Sequence, residues 1–231
     1  MKRTGSFLLL FSLIASFEVM GQLPRLGGGF SEAEAGQGIK EALAQGLGRA
    51  VTNLNRTDGF FGNQIYKMLL PPDAQRVERT MRQLGLGAQV DRAILQINRG
   101  AEDAVAFAAP IFTEAIRQMS LQDAVGIIRG PNNAATNFFK ARTTARLVEA
   151  FRPSVQNSLN KVEATRYYGE LIAAYNRFPT TRNKINPDLT TYVVEKAVDA
   201  LFHQIAQEEA EIRANPVKRT SDIMKKVFGG L

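Results

Sequence analysis

The fold is decided by residues 89–129, QVDRAILQINRGAEDAVAFAAPIFTEAIRQMSLQDAVGIIR. Apolar side chains recur there at steps of three and four residues, which places them on one face of an α-helix. Pro110 removes a helix donor and disfavours helix at Ala109, so we expect a kink or break at that point. The helical pattern resumes beyond it, and we expect this segment to form the centre of a helical core. The apolar face before the proline comprises Val90, Ile94, Ile97, Ala101, Ala104, Val105 and Ala108.

A row of polar side chains borders that apolar face. Asp91, Asn98 and Glu102 follow one another at steps of seven and four residues, so they lie in one row beside the apolar stripe. In one interpretation they bond loops or helix ends of neighbouring segments, because buried polar groups usually have partners. In the other they line a ligand-binding groove. The spacing alone does not separate the two.

Helical patterns extend outward from this segment in both directions. A helix begins near Ser31, and its repeated glycines predict close packing against a neighbouring helix, with a broken helix as the alternative. New helices are expected at Pro71-Pro72 and at Arg152-Pro153, where proline would take a first helical position. The longest uninterrupted helix is expected from Asp188 to about Ala214, with its late glutamates in solvent.

Local signals complete the prediction of the fold. Asp-Gly within TDGFFGN at 57–63 marks a turn, and we expect Phe60 and Phe61 to fill the core from it; ligand contact is the alternative. Ser120 and Asp123 are spaced to start a helix, and Asn132 or Asn133 can cap the next one. No segment alternates polar and apolar residues over the length of a strand. The sequence therefore predicts an all-α fold, a compact single-domain bundle of about eight helices.

The first residues have the features of a secretory signal peptide. Lys2 and Arg3 precede an apolar run at 7–17 that is too short to span a membrane. We expect a signal peptide at 1–21, a glycine-rich linker at 22–30 and a single helical domain at 31–231. An uncleaved N-terminal anchor is the alternative. No later stretch reaches the ~20 apolar residues of a membrane span, so we expect an exported protein, periplasmic or secreted.

Composition narrows the classes of function. The chain has no cysteine, which excludes a lipoprotein anchor, disulfides and cysteine-ligated zinc. The single histidine, His203, lies one turn after Asp199 and can pair with it, so we expect a structural role, no metal site and no cofactor. The formal charge of +7 falls to +6 when Lys2, Arg3 and Glu18 leave with the signal. A basic surface favours anionic partners such as phospholipid head groups or polyanionic glycans, and nothing in the sequence indicates nucleic-acid binding.

Motifs of established chemistry are missing from the sequence. It has no glycine-rich phosphate loop, no nucleophile elbow, no zinc-protease helix and no EF-hand loop. A site would have to be assembled across helices from polar residues beside apolar faces, and no catalytic residue can be assigned. The candidate ligand-binding residues are Asp58, Asp91, Asn98, Arg99, Glu102 and Asp123.

Four blocks of sequence together resemble one protein family. They are KEAL at 40–43 with TDGF at 57–60; LGLG at 84–87 with QVD at 89–91 and NR at 98–99; PIF at 110–112 with AI at 115–116, MS at 119–120 and DA at 123–124; and IRANP at 212–216 with KKVFG at 225–229. From Ile39 to Leu231 the chain resembles the bacterial domain of unknown function 4197. The resemblance implies an exported, mostly helical protein of Gram-negative bacteria with no established activity, and it supplies no catalytic residues. Many relatives have alanine where this chain has Gly100, and some carry a lipoprotein cysteine that this chain lacks.

Three functions are compatible with these features. The first is a non-enzymatic protein that binds an envelope protein or an anionic or apolar ligand, with peripheral membrane contact as part of that role. The second is an enzyme of unknown class with a polar site around the six candidate residues. The third is self-association through a close dimer at the glycines of the first helix.

Overall fold

The structure, a computed structural model, describes residues 25–26, 30–161, 164–177, 184–186 and 188–229. The expected signal peptide at 1–21 and most of the expected linker at 22–30 lie outside the described residues. So do residues 179–183 and 187, which belong to the polar loop that the sequence predicts at 179–187, before the helix expected at Asp188.

Helices dominate the described residues, which confirms the all-α fold. A short antiparallel pair of strands, β1 (Arg25–Leu26) and β2 (Phe30–Ser31), precedes them, with Arg25 opposite Ser31. Single turns of 3-10 helix lie at Pro72–Ala74 and Pro216–Lys218. The helices in chain order are α1 (Glu32–Asn55), α2 (Gln75–Gln83), α3 (Gly87–Val105), α4 (Ala108–Arg117), α5 (Leu121–Arg129), α6 (Ala134–Asn160), α7 (Ala164–Arg177), α8 (Leu189–Ala214) and α9 (Asp222–Gly229).

The core lies where α3, α6 and α8 pack against one another. α1 covers this group and also contacts α4, α5 and α9. The apolar face predicted for α3 is buried, and Ile97, Ala101 and Val105 are inaccessible to solvent. Phe112 of α4 lies edge-on to Phe139 of α6, with ring centroids 5.7 Å apart. Of the segment at 89–129, α3 therefore lies at the centre of the bundle, as its periodicity predicts, whereas α4 and α5 pack mainly against α1 and α6.

The glycines of α1 differ in their surroundings. A Cβ on Gly36 would lie 2.6 Å from Leu121 Cδ2, and a Cβ on Gly46 would lie 3.4 Å from Ile212 Cδ1 of α8. The close approach that the sequence predicts is therefore present at Gly36, whereas the distance at Gly46 is an ordinary van der Waals contact. Gly48 faces open space.

Two prolines differ from the sequence prediction. The break between α3 and α4 falls at residues 106–107, and Pro110 lies in the first turn of α4, where a missing N–H has no helical acceptor to lose. α6 continues through Pro153, so the prediction of a new helix there is wrong. Burial of Phe151 and Val155 on either side offsets the roughly 3 kcal/mol that an internal proline costs. α6 therefore has 27 residues and α8 has 26, so α8 is not the longest helix.

Of the late glutamates of α8, Glu211 is exposed as expected, but Glu208 is buried. Glu209 is also buried and not solvated. Its carboxylate accepts hydrogen bonds from the backbone N–H groups of Ala135 (3.0 Å) and Thr136 (2.9 Å), and it pairs with Arg213 at 2.9 Å. A carboxylate at a helix start satisfies N–H groups that lack helical acceptors. α6 is therefore capped from α8, whereas the side chain of Asn133 makes no capping bond.

Candidate functional site

Four of the six candidate residues converge on one loop. This loop, residues 56–70, follows α1 and lies against α3. Asp58 belongs to the loop, and Asn98, Arg99 and Glu102 reach it from α3. We call these four residues the loop clasp.

Glu102 is the buried acceptor of the loop clasp. Its Oε1 accepts hydrogen bonds from the backbone N–H groups of Phe60 (3.0 Å) and Phe61 (3.1 Å). Its Oε2 lies 2.6 Å from Nη1 of Arg99. The carboxylate thus satisfies two backbone donors at the point where Phe60 enters the core without any exposed surface.

Arg99 joins the two carboxylates of the loop clasp. Its Nη2 donates to Asp58 Oδ1 at 2.8 Å, and hydrogen bonds to Glu102 and then Asp58 raise the pKa of Arg99 against the opposing effect of burial. Asp58 has a left-handed backbone with φ of 64°. A Cβ on Gly59 would lie 2.3 Å from the carbonyl oxygen of Leu54, so this tight turn requires glycine.

Asn98 fixes the far part of the loop and is fully buried. Its Oδ1 accepts from the N–H of Met68 at 2.8 Å, and its Nδ2 donates to the carbonyls of Met68 (2.8 Å) and Ile94 (2.7 Å). The buried members Asn98 and Glu102 thus bond loop backbone, which is the first of the two interpretations of the polar row.

The other two candidates lie apart from the loop clasp. Asp91 is exposed and pairs with Arg82 at the end of α2, at 2.8 Å. Asp123 accepts from the Ser120 N–H at 3.0 Å in a capping box at the start of α5, and it pairs with Arg142 at 3.2 Å. Burial raises the pKa of Asp123, but the hydrogen bonds from Ser120 and Arg142 outweigh it and lower the pKa overall. The six candidates therefore occupy three separate places.

His203 contacts the loop and not its neighbour on α8. Its Nδ1 lies 3.0 Å from the hydroxyl of Tyr66, and the two rings pack edge to face with centroids 5.7 Å apart. The hydroxyl of Tyr66 also lies 2.9 Å from Gln204 Oε1, and burial raises the pKa of Tyr66. In the structure, Tyr66 takes the place of Asp199, the partner that the sequence suggested.

Ion pairs neutralise some of the described arginines and not others, and two of those without an ion pair to a described residue are neighbours on α2. Arg76 and Arg79 are exposed, lie three residues apart and form no ion pair with the described residues. They line one cleft together with Lys184, which precedes α8. We call this the α2 cleft; it encloses about 290 Å³ and is lined by Pro72, Asp73, Gln75, Arg76, Arg79, Lys184 and Ile185.

The wall that carries Lys184 is anchored to α7. The N–H of Ile185 donates to Asn176 Oδ1 at 2.9 Å, and Asn176 Nδ2 donates back to the Ile185 carbonyl at 2.8 Å. The hydroxyl of Tyr168 donates to the carbonyl of Asn186 at 3.4 Å, and the side chain of Ile185 is buried. Lys184 therefore projects from a backbone that is held on its C-terminal side.

The opposite wall is anchored to the core and carries one carboxylate. Ala74 and Val77 are buried, which fixes the start of α2. Asp73 precedes them and forms no ion pair with the described residues, the cleft cations included. Burial, and then the charge of Asp73, raise the pKa of Tyr168 to about 12. The cleft thus brings together three cations and one carboxylate, none of which forms an ion pair with another described residue.

Sequence reasoning missed the α2 cleft. Arg76 and Arg79 show a usable signal, because two arginines three residues apart share a helix face. Lys184 lies far away in the sequence, and only the tertiary fold brings it to them.

The described residues contain no group of three or more acidic or histidine side chains placed to hold a metal ion. None of the described helices combines the length and the apolar character needed to cross a bilayer.

The described residues form an all-α fold with a basic surface cleft. The loop at 56–70, which the loop clasp holds, precedes α2 in the chain, and Lys184 of the cleft follows α2. The chain belongs to the family described as protein of unknown function DUF4197, whose model matches residues 29–229. This confirms the resemblance seen in the four sequence blocks. No curated protein and no solved structure matches the chain.

Proposed function

We propose that the protein is an exported, non-enzymatic binding protein of the bacterial cell envelope, and that it captures an anionic ligand in the α2 cleft. The observation that carries the proposal is the convergence of Arg76, Arg79 and Lys184 on one cleft with two anchored walls, where none of the three forms an ion pair within the described part of the chain. Export is supported by the signal features at 1–21.

The charges of the cleft favour an oxyanion such as phosphate. A guanidinium presents a planar fork of donors that matches phosphate or carboxylate oxygens, and a lysine ammonium adds a point charge. Three like charges close together repel one another, so an anion gains more there than beside a single cation. A phospholipid head group or an anionic glycan meets this requirement.

The enzyme alternative has weaker support. A catalytic site needs a nucleophile or base and a charge-stabilising group within reach of one reacting atom. Asp91 and Asp123 lie away from the loop clasp, and Asn98 and Glu102 are bonded to backbone. We therefore assign the loop clasp the role of holding the loop at 56–70.

Co-sedimentation with vesicles tests the proposal. The mature protein is mixed with phosphatidylcholine vesicles that contain phosphatidylglycerol, and the variant Arg76→Glu/Arg79→Glu is compared with wild type. We expect the variant to lose most of its binding, and we expect salt to weaken the binding of wild type because the contacts are ionic.

The control variant is Lys140→Glu/Arg129→Glu, which changes the net charge by the same amount. Both residues are exposed and lie close in sequence to the start of α6. Glu209, near the C-terminal end of α8, caps that start, whereas Lys184 precedes the N-terminal end of α8, so the control lies away from the cleft. It should bind almost as well as wild type. Equal loss of binding in both variants would mean that the loss comes from the change in net charge, and it would overturn the cleft as the binding site.

A further inference from the structure

We infer that the α2 cleft takes a zwitterionic phosphodiester, with the phosphate held by Arg76, Arg79 and Lys184 and a primary ammonium held by Asp73. Phosphoethanolamine is the simplest head group of this class. The inference rests on the proposed function, because it presupposes that the cleft binds an oxyanion.

The carboxylate of Asp73 is the observation beyond the basic charge. Asp73 lines the same cleft as the three cations but pairs with none of them. For a simple anion, this carboxylate would be a repulsive neighbour. A ligand that carries its own cation would turn the repulsion into attraction, and it would leave both signs of charge in the cleft with a partner.

Both signs of charge lie at the same end of the cleft. Asp73 is in the 3-10 turn at Pro72–Ala74 and Arg76 is in the first turn of α2, three residues later, and both line the cleft. A small head group with a phosphate and an ammonium two carbons apart carries both charges that this pair requires. A primary ammonium also has N–H donors for Asp73, which a trimethylated ammonium lacks.

Asp73 also has a structural role, because a negative charge in the first turn of a helix interacts favourably with the helix macrodipole. That role affects stability and not ligand choice, so the test measures a preference between ligands. Isothermal titration compares soluble glycerophosphoethanolamine with glycerophosphoglycerol, which has the phosphate but no ammonium. Wild type, Asp73→Asn and the exposed control Asp103→Asn are titrated side by side.

We expect wild type and Asp103→Asn to bind the ethanolamine compound about threefold to fivefold more tightly, as for a partly exposed ion pair. In Asp73→Asn the preference should vanish while binding of the glycerol compound is kept or improved. Equal binding of both compounds by wild type, or a preference unchanged in Asp73→Asn, would overturn the inference and leave the proposed anion site intact. If wild type bound neither these compounds nor phosphatidylglycerol vesicles, the proposed function would fail as well.

A vesicle arm identifies the source of the head group. Phosphatidylcholine vesicles with and without phosphatidylethanolamine have the same net charge, so only the ammonium differs. Preferential binding to the ethanolamine-containing vesicles supports a membrane lipid as the ligand. Preference for the soluble diester without a vesicle effect supports a free phosphodiester of the same class, and absence of either preference overturns the inference.

Discussion

The carboxylate of Glu102 accepts a hydrogen bond from the backbone N–H of Phe60 at 3.0 Å, across 42 residues of chain. This bond joins the last turn of α3 to the first part of the loop at 56–70. It holds Phe60 at the point where that ring enters the core, next to Tyr66. The loop therefore depends on a helix that follows it in sequence.

The first prediction concerns this dependence. Glu102→Ala should lower the free energy of unfolding by about 1–3 kcal/mol, because it leaves buried N–H groups without an acceptor. Urea denaturation measures the change, and Asp103→Ala, on the exposed side of the same helix, should shift stability by less than about 0.5 kcal/mol. Similar effects of the two variants would show that the loop is not held by Glu102.

The second prediction compares two helical glycines. Alanine is about 1 kcal/mol more favourable than glycine in the interior of a helix. Because Gly48 faces open space, Gly48→Ala should raise the free energy of unfolding by up to that amount. A Cβ on Gly100 would lie 3.0 Å from Ser158 Cβ and 3.4 Å from Val155 Cα of α6. Overpacking there should cost about 1–3 kcal/mol and make Gly100→Ala destabilising.

Thermal or urea unfolding of the two variants side by side separates helix propensity from packing. If Gly100→Ala stabilised the protein as much as Gly48→Ala, the close approach of α3 to α6 would be contradicted.

These residues also show how much of the structure the sequence could predict. Periodicity correctly predicts the buried face of α3, because burial of one helix face is a local pattern. The continuation of α6 through Pro153 and the burial of Glu209 depend on neighbouring helices, which no local pattern encodes. For the same reason the row of Asn98 and Glu102 could be found but not interpreted until Met68 and Phe60 were placed beside it. The α2 cleft could not be predicted from the sequence, because only the tertiary fold brings Lys184 to the arginines of α2.

The third prediction concerns pH. The pKa of Asp123 is lowered in the folded protein, so this carboxylate stabilises the fold above its ordinary value of about 3.9 and ceases to do so as pH falls through the folded value. Asp123→Asn should therefore lower stability by about 0.3–1 kcal/mol at pH 7, where the charge favours the start of α5. The difference from wild type should shrink as pH falls below about 4.

Urea midpoints of both proteins at pH 7, pH 4 and pH 2.5 check this prediction. A gap between wild type and variant that stayed constant or widened in acid would mean that Asp123 is not stabilised as a carboxylate in the folded protein.

The fourth prediction tests the architecture of the α2 cleft without changing its charge. Asn176 makes reciprocal hydrogen bonds with the backbone of Ile185, and the adjacent Lys184 lines the cleft. Asn176→Ala removes both bonds and so frees the backbone next to Lys184. Lys184 would then have to be ordered at the moment when the ligand binds. Ordering one long side chain costs about 0.5–1.5 kcal/mol. Affinity for vesicles containing phosphatidylglycerol should therefore fall about threefold to tenfold, with the variant still folded.

Asn137→Ala, an exposed change near the start of α6, serves as the matched control and should bind like wild type. If Asn176→Ala also bound like wild type, ligand binding would not depend on the anchor at Asn176, and the claim that this wall of the cleft is held ready for the ligand would be wrong.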